Sequence, residues 1–360
     1  MGRIVLSGYY GFDNIGDEAV MYSIIKTLKE EIGDNTEITV LSNEPEKTAS
    51  AYHVEAVNRW KYKQIIDAIK KSDVLISGGG SLLQDITGWK SVVYYLSIVV
   101  IAKLLRKKVV FYAQGIGPVN MKFNRFLIGW IANRVDYISV RDEHSKEELI
   151  KMGVKNKKIE VVADPVLTLK VSSKESPKES PKESPKADQK RLGVYLRNWN
   201  VEDHFFDKIK EILNWFSQKG WEIVFIPMHD PEDVEISKKI SHSLPGSIVY
   251  VGDRSPQSIL EFTGTMDYVI GMRLHSLIMA AAAGVPHLGL SYDPKVKSFV
   301  ETMKAGKVID IHQLDEKEVI NYLESAITNL DELKATVKSR RNQLLEQKNM
   351  AVEFIKDCIS

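Results

Sequence analysis

A rhythm constrains this chain more than any single residue does. Through the first half, short runs apolar on successive positions ("RIVLSG", "EITVLS", "DVLISG", "KVVFYAQG", "YISVR", "IEVVAD") alternate with helical periods such as Glu18–Gly33 and His144–Met152. The second half repeats the rhythm with "RLGVYLR", "EIVFIPM", "SIVYVG", "YVIGM" and "PHLGLSY". A strand apolar on both faces needs cover on both faces, and helices between strands supply it, so the pattern predicts parallel, doubly wound sheets. The fold class expected is α/β, with two Rossmann-like domains facing across a cleft and ligands at the C-terminal strand ends.

The boundary between the halves is marked by "KESPKESPKESPK" at 174–186, where proline at every fourth residue forbids a continuous helix and nothing can enter a core. The expected plan is an N-terminal domain over 1–171, a linker over 172–188, a second domain over 189–315, and helices over 316–360 packing on the domains. A length of 360 residues fits two such units. The net charge of +1 disfavours a generally basic nucleic-acid binder. The single cysteine, Cys358, rules out an internal disulfide framework and fits a reducing cytoplasm. The longest apolar run, Val92–Leu105, is too short to span a bilayer. It is followed by Arg106, Lys107 and Lys108, so it reads either as a buried helix or as a membrane-docking face.

The polar chemistry gathers where strands end. The first strand runs into "SGYYGFDNIGDEAV", a glycine-hinged loop without the spacing of a dinucleotide fingerprint or a P-loop. It presents Asp13, Asn14 and Asp17 just as a helix begins. One of these as an N-cap is ordinary; three are more than capping needs. "SGGGSLLQD" and "AQGIGPV" follow later strands and strip side chains from the backbone, as the floor of a site for a bulky polar ligand such as a sugar would, although tight strand-to-helix packing demands glycine too. In the second half Arg197 ends one strand and His229 the next.

The densest signal is "GMRLHSLIMAAAAGVP" at 271–286. It predicts a helix over Leu274–Ala283 with Gly284 at its C-cap. Arg273 and His275 then stand in the entering turn, where free N–H groups and the helix dipole already favour an anion. Arginine adds a fork for phosphate or carboxylate. The dipole opposes imidazolium at His275, and a bound trianion would restore it. No D-x-D or H-E-x-x-H occurs, so no metal site is expected.

With "GYYGFDNIGDEA", "SGGGSLLQD", "AQGIGP", "VRDEHS", "ADPVL", "GVYLRNW" and "GMRLHSLIMAAAAGVP" in place, the chain resembles the polysaccharide pyruvyltransferases, in particular the bacterial enzymes that pyruvylate secondary cell-wall polymer. The resemblance implies a GT-B-like fold and no cofactor. It implies phosphoenolpyruvate as co-substrate on the C-terminal domain, held by Arg197, Arg273, Leu274, His275 and His229. His275 would be the general acid, with Arg273 assisting and Asp13 or Asp17 orienting or deprotonating the acceptor hydroxyl. The acceptor would meet Asp13, Asn14, Asp17, Gly79, Gly80, Gln84 and Gln114. By analogy it is N-acetylmannosamine in a lipid-diphosphate-linked amino-sugar disaccharide, which would bring the protein to the inner membrane face, with Val92–Lys108 as a contact. The alternative is a metal-independent GT-B glycosyltransferase using a nucleotide sugar, for which Asp293 of "SYDPKV" is the one candidate ribose ligand.

Overall fold

The computed structural model describes residues 2–86, 88–155, 159–171, 189–199, 204–346 and 350–359. The KESP linker of 172–188 lies outside the described residues. The chain divides into two compact units, Met1–Thr168 with Glu346–Ser360, and Leu169–Leu345.

The first unit alternates β1 (Arg3–Tyr10), α1 (Ile15–Ile32), β2 (Glu37–Ser42), α2 (Pro45–Tyr52), β3 (Glu55–Asn58), α3 (Tyr62–Lys71), β4 (Val74–Gly78), α4 (Trp89–Leu104), β5 (Lys108–Gln114), α5 (Lys122–Ala132), β6 (Tyr137–Val140), α6 (Glu143–Lys151) and β7 (Ile159–Val161). Its seven strands are all parallel, in the order β3-β2-β1-β4-β5-β6-β7. The order reverses between β1 and β4, so the crevice where such sheets bind ligands opens beside the first two glycine-rich loops.

The second unit runs β8 (Arg191–Tyr195), α7 (Phe205–Gln218), β9 (Glu222–Phe225), α8 (Glu232–Ser241), β10 (Ile248–Val249), α9 (Pro256–Thr263), β11 (Tyr268–Gly271), α10 (Leu274–Ala283), β12 (His287–Ser291), α11 (Pro294–Met303), β13 (Gly306–Asp310), α12 (Glu316–Thr328) and α13 (Leu330–Leu345). Its six-stranded parallel sheet has the order β10-β9-β8-β11-β12-β13, and the reversal falls between β8 and β11. The final helix, α14 (Met350–Ile359), packs on β4, β5 and β6 of the first unit.

The doubly wound pattern holds in both units, with two strands more than the apolar runs show. β3 and β13 are edge strands of mostly half-buried residues, "EAVN" and "GKVID". An edge strand has a partner on one side only and needs no continuous apolar run. α10 matches its predicted limits, with Gly284 in the left-handed conformation at its end. α1 begins three residues earlier than its apolar period showed, because Asn14 caps it through the N–H of Gly16.

The Val92–Leu105 run is spent inside. Val92, Tyr95, Leu96, Ile98, Val99 and Ala102 are buried in the core of the first unit, while Leu104 at the end of α4 is exposed. Of the two readings of that run, the structure supports the buried helix. No helix among the described residues is long and apolar enough to cross a membrane.

Candidate active site

In the first unit the reversal point is built by glycines that meet specific neighbours. A Cβ at Gly79, itself at φ +70°, would collide with the buried Val20 of α1, so this glycine serves close strand-to-helix packing. A Cβ at Gly80 would instead lie 2.8 Å from the Asp17 carboxylate. Gly80 thus bares a half-buried carboxylate at the mouth of the switch point. The carbonyl of Gly80 accepts from Gly115 N–H at 2.8 Å, which ties the third loop beside it. That places Gln114 there too, fully buried, with neither its amide oxygen nor its nitrogen bonded among the described residues.

The other predicted acceptor residues spread out. Asn14 is the N-cap of α1. Asp13, more than half exposed, is ion-paired with Lys47 at 2.5 Å. Gln84 is half-buried on the second loop. "VRDEHS" and "ADPVL" are bracing: the buried Arg141 bridges Ser81 Oγ (2.9 Å) and Asp164 (3.3 Å), while Asp142 caps α6.

The sequence reading missed what surrounds Asp17. Arg59, 2% exposed, lies just past β3, donating to Gly8 O at 2.8 Å and to the Tyr95 hydroxyl at 3.1 Å. Its guanidinium stands 4.7–6.0 Å from the rings of Tyr94, Phe12, Trp60, Tyr95 and Tyr9. Such contacts are worth about 0.5–2 kcal/mol each and suit a planar cation better than an ammonium. Tyr9 and Phe12 stack at 4.2 Å, nearly parallel, and Trp60 is 57% exposed, its indole N–H donating to Asn43 at 2.8 Å. Burial pushes the Tyr95 hydroxyl up to about 12, against the pull of Arg59. Tyr10, bonded to Gly78 O, is also held well above the usual phenol range by burial and by the charge of Asp17. Both phenols are therefore neutral. The signal was available in the aromatic crowding of "GYYGF" and "NRWKY", but only the fold brings the two segments together.

In the second unit four strand ends converge. The N–H of Met272, after β11, donates to Tyr195 O, and Arg197 N–H approaches Met272 Sδ at 3.4 Å. Arg197 and Arg273 therefore flank one methionine. Arg273 is the N-cap of α10 and its side chain makes no capping bond; Leu274 and His275 follow as the first two helical residues. The Arg197 guanidinium donates to Tyr292 Oη at 2.7 Å and lies 4.4 Å from the Trp199 ring.

Asp233, near the start of α8, is fully buried and was not anticipated. Its Oδ2 accepts from Met228 and His229 N–H (3.2 and 3.1 Å), and both its oxygens accept from Arg273. An acidic residue in a first helical turn looks like a dipole complement, which hid its role. His229 enters this cluster by its backbone, while its ring turns to Glu232 at 2.8 Å. Asp293, the carboxylate that a nucleotide-sugar enzyme would call on, caps α11 through Lys295 N–H and pairs with the Lys295 ammonium. Among the described residues no three His, Cys, Asp or Glu side chains gather as a metal would need.

Two doubly wound parallel α/β units of this kind define the GT-B class. The likeness to solved structures agrees: S. aureus MnaA bound to UDP (TM-score 0.67, 14% identity, 99% of this chain and 95% of that one) and Anabaena HepE with UDP-glucose (0.64, 14%, 100% and 98%). At such identities the likeness is one of fold. A family model, polysaccharide pyruvyl transferase, matches residues 14–294, from the cap of α1 to the start of α11, and the chain belongs to this family. It is also 21% identical over 296 residues to the amylovoran biosynthesis protein AmsJ of Erwinia amylovora, covering 76% of this chain and 70% of that one. The protein is accordingly a transferase of polysaccharide pyruvylation.

Proposed function

We propose that this protein moves the pyruvyl group of phosphoenolpyruvate onto two hydroxyls of one sugar, forming a cyclic ketal and releasing inorganic phosphate. One observation carries the reading: two arginines and a histidine stand around the uncapped N-terminus of a helix buried along its length. Asp233 occupies the Nε–Nη2 edge of Arg273 and leaves the Nη1–Nη2 edge for a second fork. A donor with about three negative charges would use that edge, Arg197, and the first N–H groups of α10.

In the reaction, His275 gives a proton to the donor's methylene carbon, and the adjacent carbon takes up the first sugar hydroxyl, whose proton passes to a base. The second hydroxyl then displaces phosphate from the same carbon, closing the ring, and its proton leaves with the phosphate. Between the two candidate bases, Asp17 fits better than Asp13, since Lys47 claims Asp13 in the open and Asp17 is half-buried beside Gly80. The acceptor sugar lays its apolar face on Trp60 or the Tyr9–Phe12 stack. The acceptor we favour is N-acetylmannosamine in a lipid-diphosphate-linked disaccharide.

Phosphate release from phosphoenolpyruvate, measured with a panel of lipid-linked amino-sugar disaccharides, tests the reading. The expected outcome is acceptor-dependent release that falls by 10²–10⁴ in His275→Ala, the usual range for general acid catalysis. Release within threefold of the wild-type rate in that variant would remove His275 from the mechanism.

A further inference from the structure

α5 carries apolar side chains on two sides. Its inner side buries Ile128, Ile131 and Ala132 in the core of the first unit. Its outer side exposes Phe123 (57%), Phe126 (65%) and Trp130 (47%), with Met121 (45%) just before the helix. The spacing i, i+3, i+7 lines the three aromatics along one stripe. α4 packs beside α5 and adds Leu104, 77% exposed. The stripe is held outward. Asp85 accepts from Asn120 N–H, Met121 N–H and the Asn124 amide at the start of the helix, and Gly129 is pressed against the Met152 carbonyl, where no Cβ fits. The helix cannot turn to bury these rings.

The sequence that carries the stripe is basic. Residues 86–135, fifty positions, contain eight Lys or Arg and no Asp or Glu, in a chain with 48 acidic residues and a net charge of +1. Asp136 and Glu148 pair with three of these cations, Lys103, Lys108 and Arg125. Arg106, Lys107, Lys122 and Arg134 have no carboxylate partner among the described residues. Arg134 lies 4.0 Å from the Trp130 ring and bonds the Trp130 carbonyl, an amphipathic pair suited to a headgroup layer.

We infer that the outer face of α5 docks on an anionic lipid bilayer, the rings entering the headgroup–acyl boundary and the lysines and arginines meeting lipid phosphates. A second copy of the chain suits this surface poorly. A two-fold contact would set the same unpaired cations against each other. The inference stands apart from the acceptor's identity, since it requires only this face.

The test is co-flotation of the full chain with vesicles of phosphatidylcholine containing 30% phosphatidylglycerol, against vesicles of phosphatidylcholine alone. Binding is expected only to the anionic vesicles, weakening in high salt. It should fall at least tenfold in the double variant F126S/W130S and about threefold in R134E. These residues are exposed, so unchanged thermal melting controls for folding, and unchanged phosphate release with a soluble acceptor separates docking from catalysis. Equal recovery on both vesicle types, or equal recovery of F126S/W130S and wild type, would overturn the inference. So would a dimer in sedimentation velocity that F126S/W130S dissociates while vesicles go unbound.

Discussion

Arg273 and Asp233, forty residues apart in the chain, meet side by side with Nε–Oδ2 at 2.5 Å and Nη2–Oδ1 at 2.7 Å. The carboxylate is completely buried and also receives two backbone N–H groups, so it is fixed before it fixes the guanidinium. A helix N-terminus attracts anions in general; a clamped arginine at its cap dictates the orientation of one.

Asp233→Asn should therefore affect two measurements together. One carboxylate oxygen becomes an amide donor facing a donor, and the buried cation loses its counter-charge. Breaking such a pair costs about 3–5 kcal/mol where both partners are buried, and somewhat less here because Arg273 reaches solvent at its edge. Melting should drop by several degrees, and kcat/KM for phosphoenolpyruvate should fall by one to two orders of magnitude. A variant that melts lower with kinetics intact would reduce the pair to scaffolding.

Gly79 and Gly80 are adjacent and share a left-handed backbone, yet alanine should do different things at each. At Gly79 the new methyl meets Val20 in the core, and little folded protein is expected. At Gly80 the methyl meets only the end of Asp17, so the cost is the backbone strain of roughly 1–2 kcal/mol. Gly80→Ala should fold, melt slightly lower, and lose at least tenfold in kcat by displacing the carboxylate. Circular dichroism and steady-state rates on the two variants check this; a fully active Gly80→Ala would dismiss Asp17 as the base.

The rings around Arg59 make a third expectation. Trp60→Ala removes a mostly exposed indole that no core depends on, so stability should change little. The KM for the acceptor should rise about tenfold, in line with roughly 1.4 kcal/mol of lost stacking, while the KM for phosphoenolpyruvate stays put. Arg59→Lys is the harsher change, because an ammonium cannot keep both bonds and lie flat among five rings. A Trp60→Ala enzyme with unchanged acceptor KM would leave the platform without a role.

What could be read from the sequence was whatever depended on neighbours in the chain. α10 was legible to the residue because its apolar composition, its closing glycine and its entering arginine are contiguous. The glycine loops were legible as loops, but not that Gly79 serves packing while Gly80 faces Asp17. Asp233 and Arg59 were invisible for one reason: each gains its role from groups 40 or 51 positions away. β3 and β13 escaped because an edge strand does not need to look apolar.

His287 sets a pH limit that lies outside the site. It opens β12, is fully buried, bonds Val285 O weakly through Nδ1 at 3.3 Å, and has no partner for Nε2 among the described residues. Burial lowers its pKa from the model-peptide value of 6.5 to about 4. The depressed value fixes the sign. Above pH 6.5 the ring is neutral whether the chain is folded or not, and contributes no penalty. As pH falls from 6.5 to 4 the unfolded chain takes up a proton that the folded chain refuses, and stability drains away. The full difference is about 3 kcal/mol, from 1.36 kcal/mol for each pKa unit. His287→Phe keeps an aromatic ring beside Phe299 and removes the titration. Denaturant melts at pH 7.5 and 4.5 should then show the wild type losing about 2–3 kcal/mol more than the variant. Parallel losses in both proteins would mean that the buried imidazole is protonated in the folded state, with a partner for Nε2 after all.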